Sequence, residues 1–199
     1  MNWGVTDALS CEEAPPQLTL AAAVRLSFQI CVLLIAFCTA ASAQDSAEYA
    51  VKAAFLFHFA QLTNWPSGAL VPQAPITFCS LGKDLFSGQL EIVLEGKSVQ
   101  GHATSIVHLK DAGNVRSCQV LFLSQQQYDR APAVIASLHG APVLVVGDSD
   151  ELLHQGAMIS FELEEHRIRF RVNTLAAARC GISFSSTLLS LASSVVQEE

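Results

Sequence analysis

Six histidines, a cluster of carboxylates, three alternating arginines and three downstream cysteines are the side chains in this sequence that could do chemistry. His58, His102, His108, His139, His154 and His166 are scattered without the spacing of a zinc motif, so no metal site is expected. Gly140, Gly147 and Gly156 form neither GxGxxG nor a P-loop, and no cofactor is implied. Ser183-Phe184-Ser185-Ser186 lacks the GxSxG frame of a nucleophile elbow and reads as capping or packing serines. No nucleophile, base and orienting group can be named together, so the chain is not expected to be an enzyme.

Two constellations remain. Asp148, Asp150 and Glu151 follow a strand-like run, where α/β proteins place ligand sites. The simpler reading is that Asp148 or Ser149 caps the next helix while the other carboxylates favour its positive end. Arg167, Arg169 and Arg171 alternate, so they share one face of a strand and suit an anion or an acidic partner surface. The competing reading pairs them with Glu162 and Glu164 across a hairpin.

The elements that must position these groups follow an α/β rhythm. A helix is expected over Ala47–Asn64, ended by Trp65-Pro66. Its Phe55, Phe57, Phe59 and Trp65 exceed one stripe, which calls either for burial on two sides or for a partner covering Phe57 and Trp65. Strands are expected at Ile76–Leu81, Val99–Leu109, Gln119–Leu123 and Pro142–Val146, with helices at Leu85–Leu94, Gln125–Leu138 and near Glu151–Leu153. Met158–Leu163 and Arg167–Val172 flank a polar connection and read as a β-hairpin. A final helix is expected over Thr174–Val196, with Gly181 as a break or kink. The fold class is therefore α/β: a single domain with a mixed sheet flanked by helices and a C-terminal hairpin and helix.

Upstream, Arg25 to Gln44, RLSFQICVLLIAFCTAASAQ, reads as an export signal with Ala41-Ser42-Ala43 as its cleavage site. Its apolar run, Leu26 to Phe37, falls short of the roughly 20 residues that span a bilayer. Residues 1–43 are therefore expected to be a cleaved leader, leaving a periplasmic product, 44–199, that does not span the membrane. Met1 to Val24 carries Asp7, Glu12 and Glu13 but no Lys or Arg, the reverse of a signal n-region, which places the expected translation start near Val24. Ile30 and Phe37 stand before Cys31 and Cys38 where a lipobox needs a small residue.

From Gln44 onward there are 10 Lys plus Arg and 15 Asp plus Glu with no basic block, which argues against a nucleic-acid partner. Three cysteines remain in this region: Cys79, Cys118 and Cys180. In an oxidising compartment two should pair. Cys79 and Cys118 both lie at strand-like segments able to neighbour in one sheet, so that pair is favoured, with Cys180 left as a buried free thiol.

The chain also resembles the YfiR-like periplasmic proteins, named for a repressor of a membrane-anchored diguanylate cyclase. The carriers are Val51-Lys52-Ala53-Ala54-Phe55-Leu56-Phe57-His58-Phe59 with Trp65-Pro66, Cys118-Gln119-Val120-Leu121-Phe122, Gly156-Ala157-Met158-Ile159, Arg169-Phe170-Arg171-Val172-Asn173 and Ile182-Ser183-Phe184-Ser185-Ser186. The resemblance implies one exported α/β domain, a disulfide of the Cys79–Cys118 kind, a homodimer, and binding to the periplasmic part of an inner-membrane cyclase or similar sensor. Two features depart from the family: Gly156-Ala157 stands where Gly-Gly is frequent, and a second cysteine pair is missing. The alternative is a periplasmic protein binding an anionic or nucleotide-like solute at the Arg strand and the loop after Val146.

Overall fold

The runs Ile76–Leu81, Val120–Leu123 and Leu144–Gly147 are apolar almost without alternation, which is what strands covered on both faces require. In the computed structural model, which describes residues 46–165 and 167–197, these three runs form the centre of an eight-stranded sheet. The expected leader, its cleavage site and the start near Val24 lie outside the described residues.

A first helix, α1, occupies residues 46–62 and leads into β1 (Thr63–Asn64). Then come β2 (Ile76–Leu81), α2 (Gln89–Leu94), β3 (Ser98–Val99), β4 (His102–Leu109) and β5 (Val120–Leu123). The chain continues through α3 (Ala131–Ser137), β6 (Leu144–Gly147), α4 (Asp150–His154) and the hairpin β7 (Ile159–Glu164) and β8 (Arg167–Asn173). It ends in α5 (Thr174–Arg179), β9 (Ser183–Phe184), α6 (Ser186–Leu191) and β10 (Ser194–Val196). The sheet order is β10-β8-β7-β6-β5-β2-β4-β3, while β1 and β9 form a separate antiparallel pair. From β7 across to β4 all strands are parallel. β2 sits inside this run, with β4 on one side and β5 on the other.

Two apolar layers cover the sheet. One holds Ala53, Leu56 and Phe59 of α1 with Leu90 and Leu94 of α2, Ala176 and Ala177 of α5 and Leu188 of α6. The other holds Ala131, Val134 and Leu138 around α3 with Leu152 of α4 and both disulfide cysteines.

The expected β-hairpin is present, in the register Phe161 opposite Phe170 and Leu163 opposite Ile168. The expected final helix is not continuous. Gly181 at φ +69° ends α5, Ser185 starts α6 by accepting the Leu188 amide at 3.2 Å, and Ser194–Val196 adds a parallel strand beside β8. The short helical pieces lost to sheet pairing because Val195 and Val196 are β-branched and β8 offered an open edge. The expected helix over Gln125–Leu138 is likewise shortened to a 3₁₀ turn at Gln125–Gln127 followed by α3. The helix expected from Leu85 begins only at Gln89, after left-handed Ser87 and Gly88.

Cys79 of β2 is bonded to Cys118, two residues before β5. The bridge closes a separation of 39 residues between adjacent strands. In the chain-entropy treatment it stabilises the fold by about 3–4 kcal/mol. Replacing both cysteines by alanine should lower the urea-unfolding free energy by about that amount, and reductant should then make no further difference; a variant as stable as the oxidised protein would show that the bridge holds nothing.

Candidate interaction site

α1 carries more apolar and aromatic surface than one stripe holds, and the structure shows where each ring goes. Phe59 is buried against Phe161 and Phe170, with centroids 5.6 and 4.8 Å away. Phe57 points to the opposite side, only 7% exposed, with the Lys97 ammonium 4.8 Å from its ring centre. The expectation of Phe57 as a partner contact therefore needs correcting: its ring is core, because α1 is buried on two sides. Trp65 is half-buried, and its indole Nε1 has no hydrogen-bond partner among the described residues.

α1 keeps Ala47, Val51, His58 and Gln61 exposed, and the flank between these and its buried face borders two cavities. Glu48, Val51, Phe55, His58 and Leu62 recur at three- and four-residue intervals, so they lie on one side of the helix. Phe55 is half-buried, with its ring 6.0 Å from Phe161 and 5.8 Å from Phe170. At the C-terminal half of the flank, α1, Phe170, Leu188 and Leu191 enclose an almost wholly apolar groove of about 260 Å³. At the N-terminal half a second cavity of about 260 Å³ is lined by Glu48, Tyr49, Lys52, Asp148, Phe161, Glu162, Leu163 and Ile168. Leu163 and Leu191, which line these cavities, are 62 and 61% exposed, and Val51 on the same flank of α1 is 46% exposed.

The floor of the second cavity is a buried ionic knot. Lys52 is only 6% exposed, and its ammonium donates to Glu48 and Asp148 while lying 4.7 Å from the Tyr49 ring centre. The Tyr49 hydroxyl donates to the other Asp148 oxygen at 2.8 Å. Asp148 reaches this position because β6 ends at Gly147, where α4 crosses so closely that a Cβ would lie 2.6 Å from the Leu152 Cβ. Burial pushes the Asp148 carboxyl above its usual range, with Lys52 and Tyr49 working against that rise. Asp148 is thus not the cap of α4. Ser149 stands at that N-cap without a side-chain cap bond, and Asp150 and Glu151 occupy the first turn.

The three arginines do lie on one face of β8, but the protein's own carboxylates engage it. Arg171 is bonded to Asp150 and to Ser194 Oγ, and Arg169 lies 3.5 Å from Glu164. Arg167 stands opposite Glu164 in the hairpin register. The loop after Val146 turns Asp148 toward Lys52, so strand and loop are not brought together as one anion site. Cys180 is half-buried rather than buried, and burial pushes its thiol up.

A hydrogen-bonded serine, histidine and glutamate that no sequence motif marks does occur. Ser80 Oγ is 2.8 Å from His108 Nδ1, and His108 Nε2 is 2.7 Å from Glu91 Oε1. Spacings of 28 and 17 residues carry no motif, since the group forms only when β2, β4 and α2 assemble. Ser80 is 2% exposed in mid-strand, so the chain braces α2 to the sheet rather than presenting a nucleophile. Among the described residues no cluster of three or more His, Cys, Asp or Glu is placed to hold a metal ion, and no helix is long and apolar enough to cross a membrane.

Over residues 49–193 the chain matches the YfiR/HmsC-like family, and it belongs to that family. No curated protein matches it. Among solved structures it is similar to a conserved domain protein from Vibrio cholerae, at 12% identity and TM-score 0.47 over 61% of this chain and 55% of that one. It is also similar to the ABC domain in complex with L-Trp from Streptococcus pneumonia, at 13% identity and TM-score 0.49 over 71% of this chain and 62% of that one. The chain thus spans little more than half the length of these structures.

Removing the Lys52 cation tests the knot. Lys52→Met leaves Asp148 buried without its ammonium and should cost about 3–5 kcal/mol at pH 7. Lys52→Met with Asp148→Asn should recover part of that loss. A carboxyl whose pKa is raised on folding is protonated first in the folded state as pH falls. The deficit of Lys52→Met should therefore be largest near neutrality and shrink on acidification through the raised Asp148 titration. Urea unfolding across pH reads this directly; a deficit independent of pH would mean that the knot is not electrostatic.

Proposed function

We propose that this protein is a periplasmic regulatory binding protein that restrains an inner-membrane diguanylate cyclase, or a similar sensor, by holding its periplasmic part. Membership of the YfiR/HmsC-like family supports a regulatory, non-catalytic role. The observation that carries the reading is the apolar flank of α1 and α6, where Leu191 stays 61% exposed beside a groove lined by Phe55, Leu62 and Phe170. Large apolar side chains grouped beside a groove are what a protein partner covers.

Such a regulator acts only through unequal affinity for the partner's off and on states; a 100-fold preference is about 2.7 kcal/mol. The engaged arginines favour this reading over an anionic or nucleotide-like solute, because Arg171 would have to give up Asp150 to bind one. Export with cleavage before Gln44 and homodimer formation belong to the same proposal.

The test is retention of membrane sensors from gently solubilised membranes by the tagged protein. Wild type should retain a cyclase or sensor with a periplasmic domain, and Leu191→Asp should retain at least tenfold less at an unchanged melting temperature. Equal retention by both would remove the flank from the binding surface, and no retained sensor would remove the regulatory reading.

A further inference from the structure

We propose that the flank of α1 carrying Glu48, Val51, Phe55 and Leu62 cradles a single helix of a foreign protein. That helix is apolar along one face and bears a Lys or Arg at the end lying beside Glu48. The inference rests on the regulatory reading above and adds the chemistry of the partner's contact segment.

Three observations lead to it. The two cavities flank the same side of one helix and are linked by Phe55, which packs against both Phe161 and Phe170. From Glu48 to Leu62 the flank runs about 21 Å at 1.5 Å per residue, the length of about four helical turns. Its apolar positions repeat at the spacing that a second helix matches with anchors at i, i+3, i+4 and i+7.

The walls also select the form of the occupant. They are the side chains of α1 and α6 and the face of β8, not the edge of a sheet. An extended peptide would find no ladder of backbone partners there and would leave its own amides and carbonyls unpaired against apolar groups. A helix brings its backbone already satisfied.

Charge sets the orientation and excludes a second copy as the better fit. The cavity at the Glu48 end is lined by Glu48, Asp148 and Glu162 against the single ammonium of Lys52, which is already committed to Glu48 and Asp148. Glu48 keeps 28% of its side chain open to solvent. A second copy presenting the same flank brings Glu48, Lys52 already paired, and His58. It has no uncommitted Lys or Arg to offer on that flank. A foreign helix with a terminal cation complements both ends: apolar against Leu62, Leu188 and Leu191, basic against Glu48.

Photo-crosslinking in the exporting cell, with the full chain, tests the cradle. A photoreactive residue replaces Val51, Leu163 or Leu191 in turn, with Ile92 on α2, 66% exposed, as the control position. The captured segment is then sequenced by mass spectrometry. The expected result is one segment captured from Val51 and Leu191, with apolar residues at three- and four-residue spacing and its Lys or Arg toward the Val51 and Leu163 end. Glu48→Gln should lower the yield at Val51 at least fivefold. Capture only from Ile92, no capture at the three flank positions, a segment without that spacing or cation, or a second copy of this chain would each overturn the proposal. A fitting helix from a protein that is not a membrane sensor would leave the cradle standing and remove the regulatory reading. A sensor captured only through Ile92 would do the reverse.

Discussion

The position of the first helix depends on a charge that the fold has taken out of water. Lys52 lies between Glu48 and Asp148 under the rings of Tyr49 and Phe161, and Asp148 belongs to the far side of the chain, at the end of β6. Burying an ammonium and a carboxylate costs several kcal/mol each before pairing, and pairing returns that cost only with good geometry. A pair of this kind adds little net stability over a well-packed apolar substitute. It does penalise misplacement: if α1 slides by one residue or rotates away, a buried carboxylate is left without its cation. The knot therefore acts as a register pin for α1 on the sheet.

Pinning α1 decides which of its surfaces stay in water. With Lys52 fixed inward, Leu56 and Phe59 fall over the sheet, Phe57 turns toward Lys97, and Glu48, Val51, Phe55, His58 and Leu62 are left along one side. α6 then lies beside that side because β10 must pair with β8, which brings Leu188 and Leu191 against Phe55 and Phe59. The groove is thus a by-product of two separate constraints, an ion pair at one end of α1 and a strand pairing after α6.

Much of the fold could be read from periodicity. Ile76–Leu81 and the hairpin fell where apolar runs and alternation put them, because burial on both faces or one face leaves a period that side chains cannot disguise. The pairing of Cys79 with Cys118 followed from two strand-like segments competing for the same sheet. The C-terminal region was not legible in the same way. Its pieces are six residues or fewer, and whether Ser194–Val196 continues a helix or adds a strand is settled by the open edge of β8, not by local preference. The knot was hidden for a related reason. Asp148 sits beside a helix start, the commonest place for a capping carboxylate, and its partner Lys52 is 96 residues away.

The disulfide and the flank lie on opposite faces of the sheet, and this limits how redox conditions can act on the flank. Cys79 and Cys118 pack with Leu121, Val134 and Leu138, whereas Phe55, Phe170 and Leu188 belong to the other layer. No side chain of the bridge touches the groove layer, so reduction reaches the flank only by loosening β2 against β5. β2 is central, with β4 and β5 hydrogen-bonded on its two sides, so that loosening is cooperative rather than local. Cys180, the one free thiol among the described residues, lines a different cavity with His139 and Arg179, and burial holds it in the protonated, less reactive form. Redox sensitivity in this protein is therefore a matter of how much folded protein is present, not of a local rearrangement at the apolar flank.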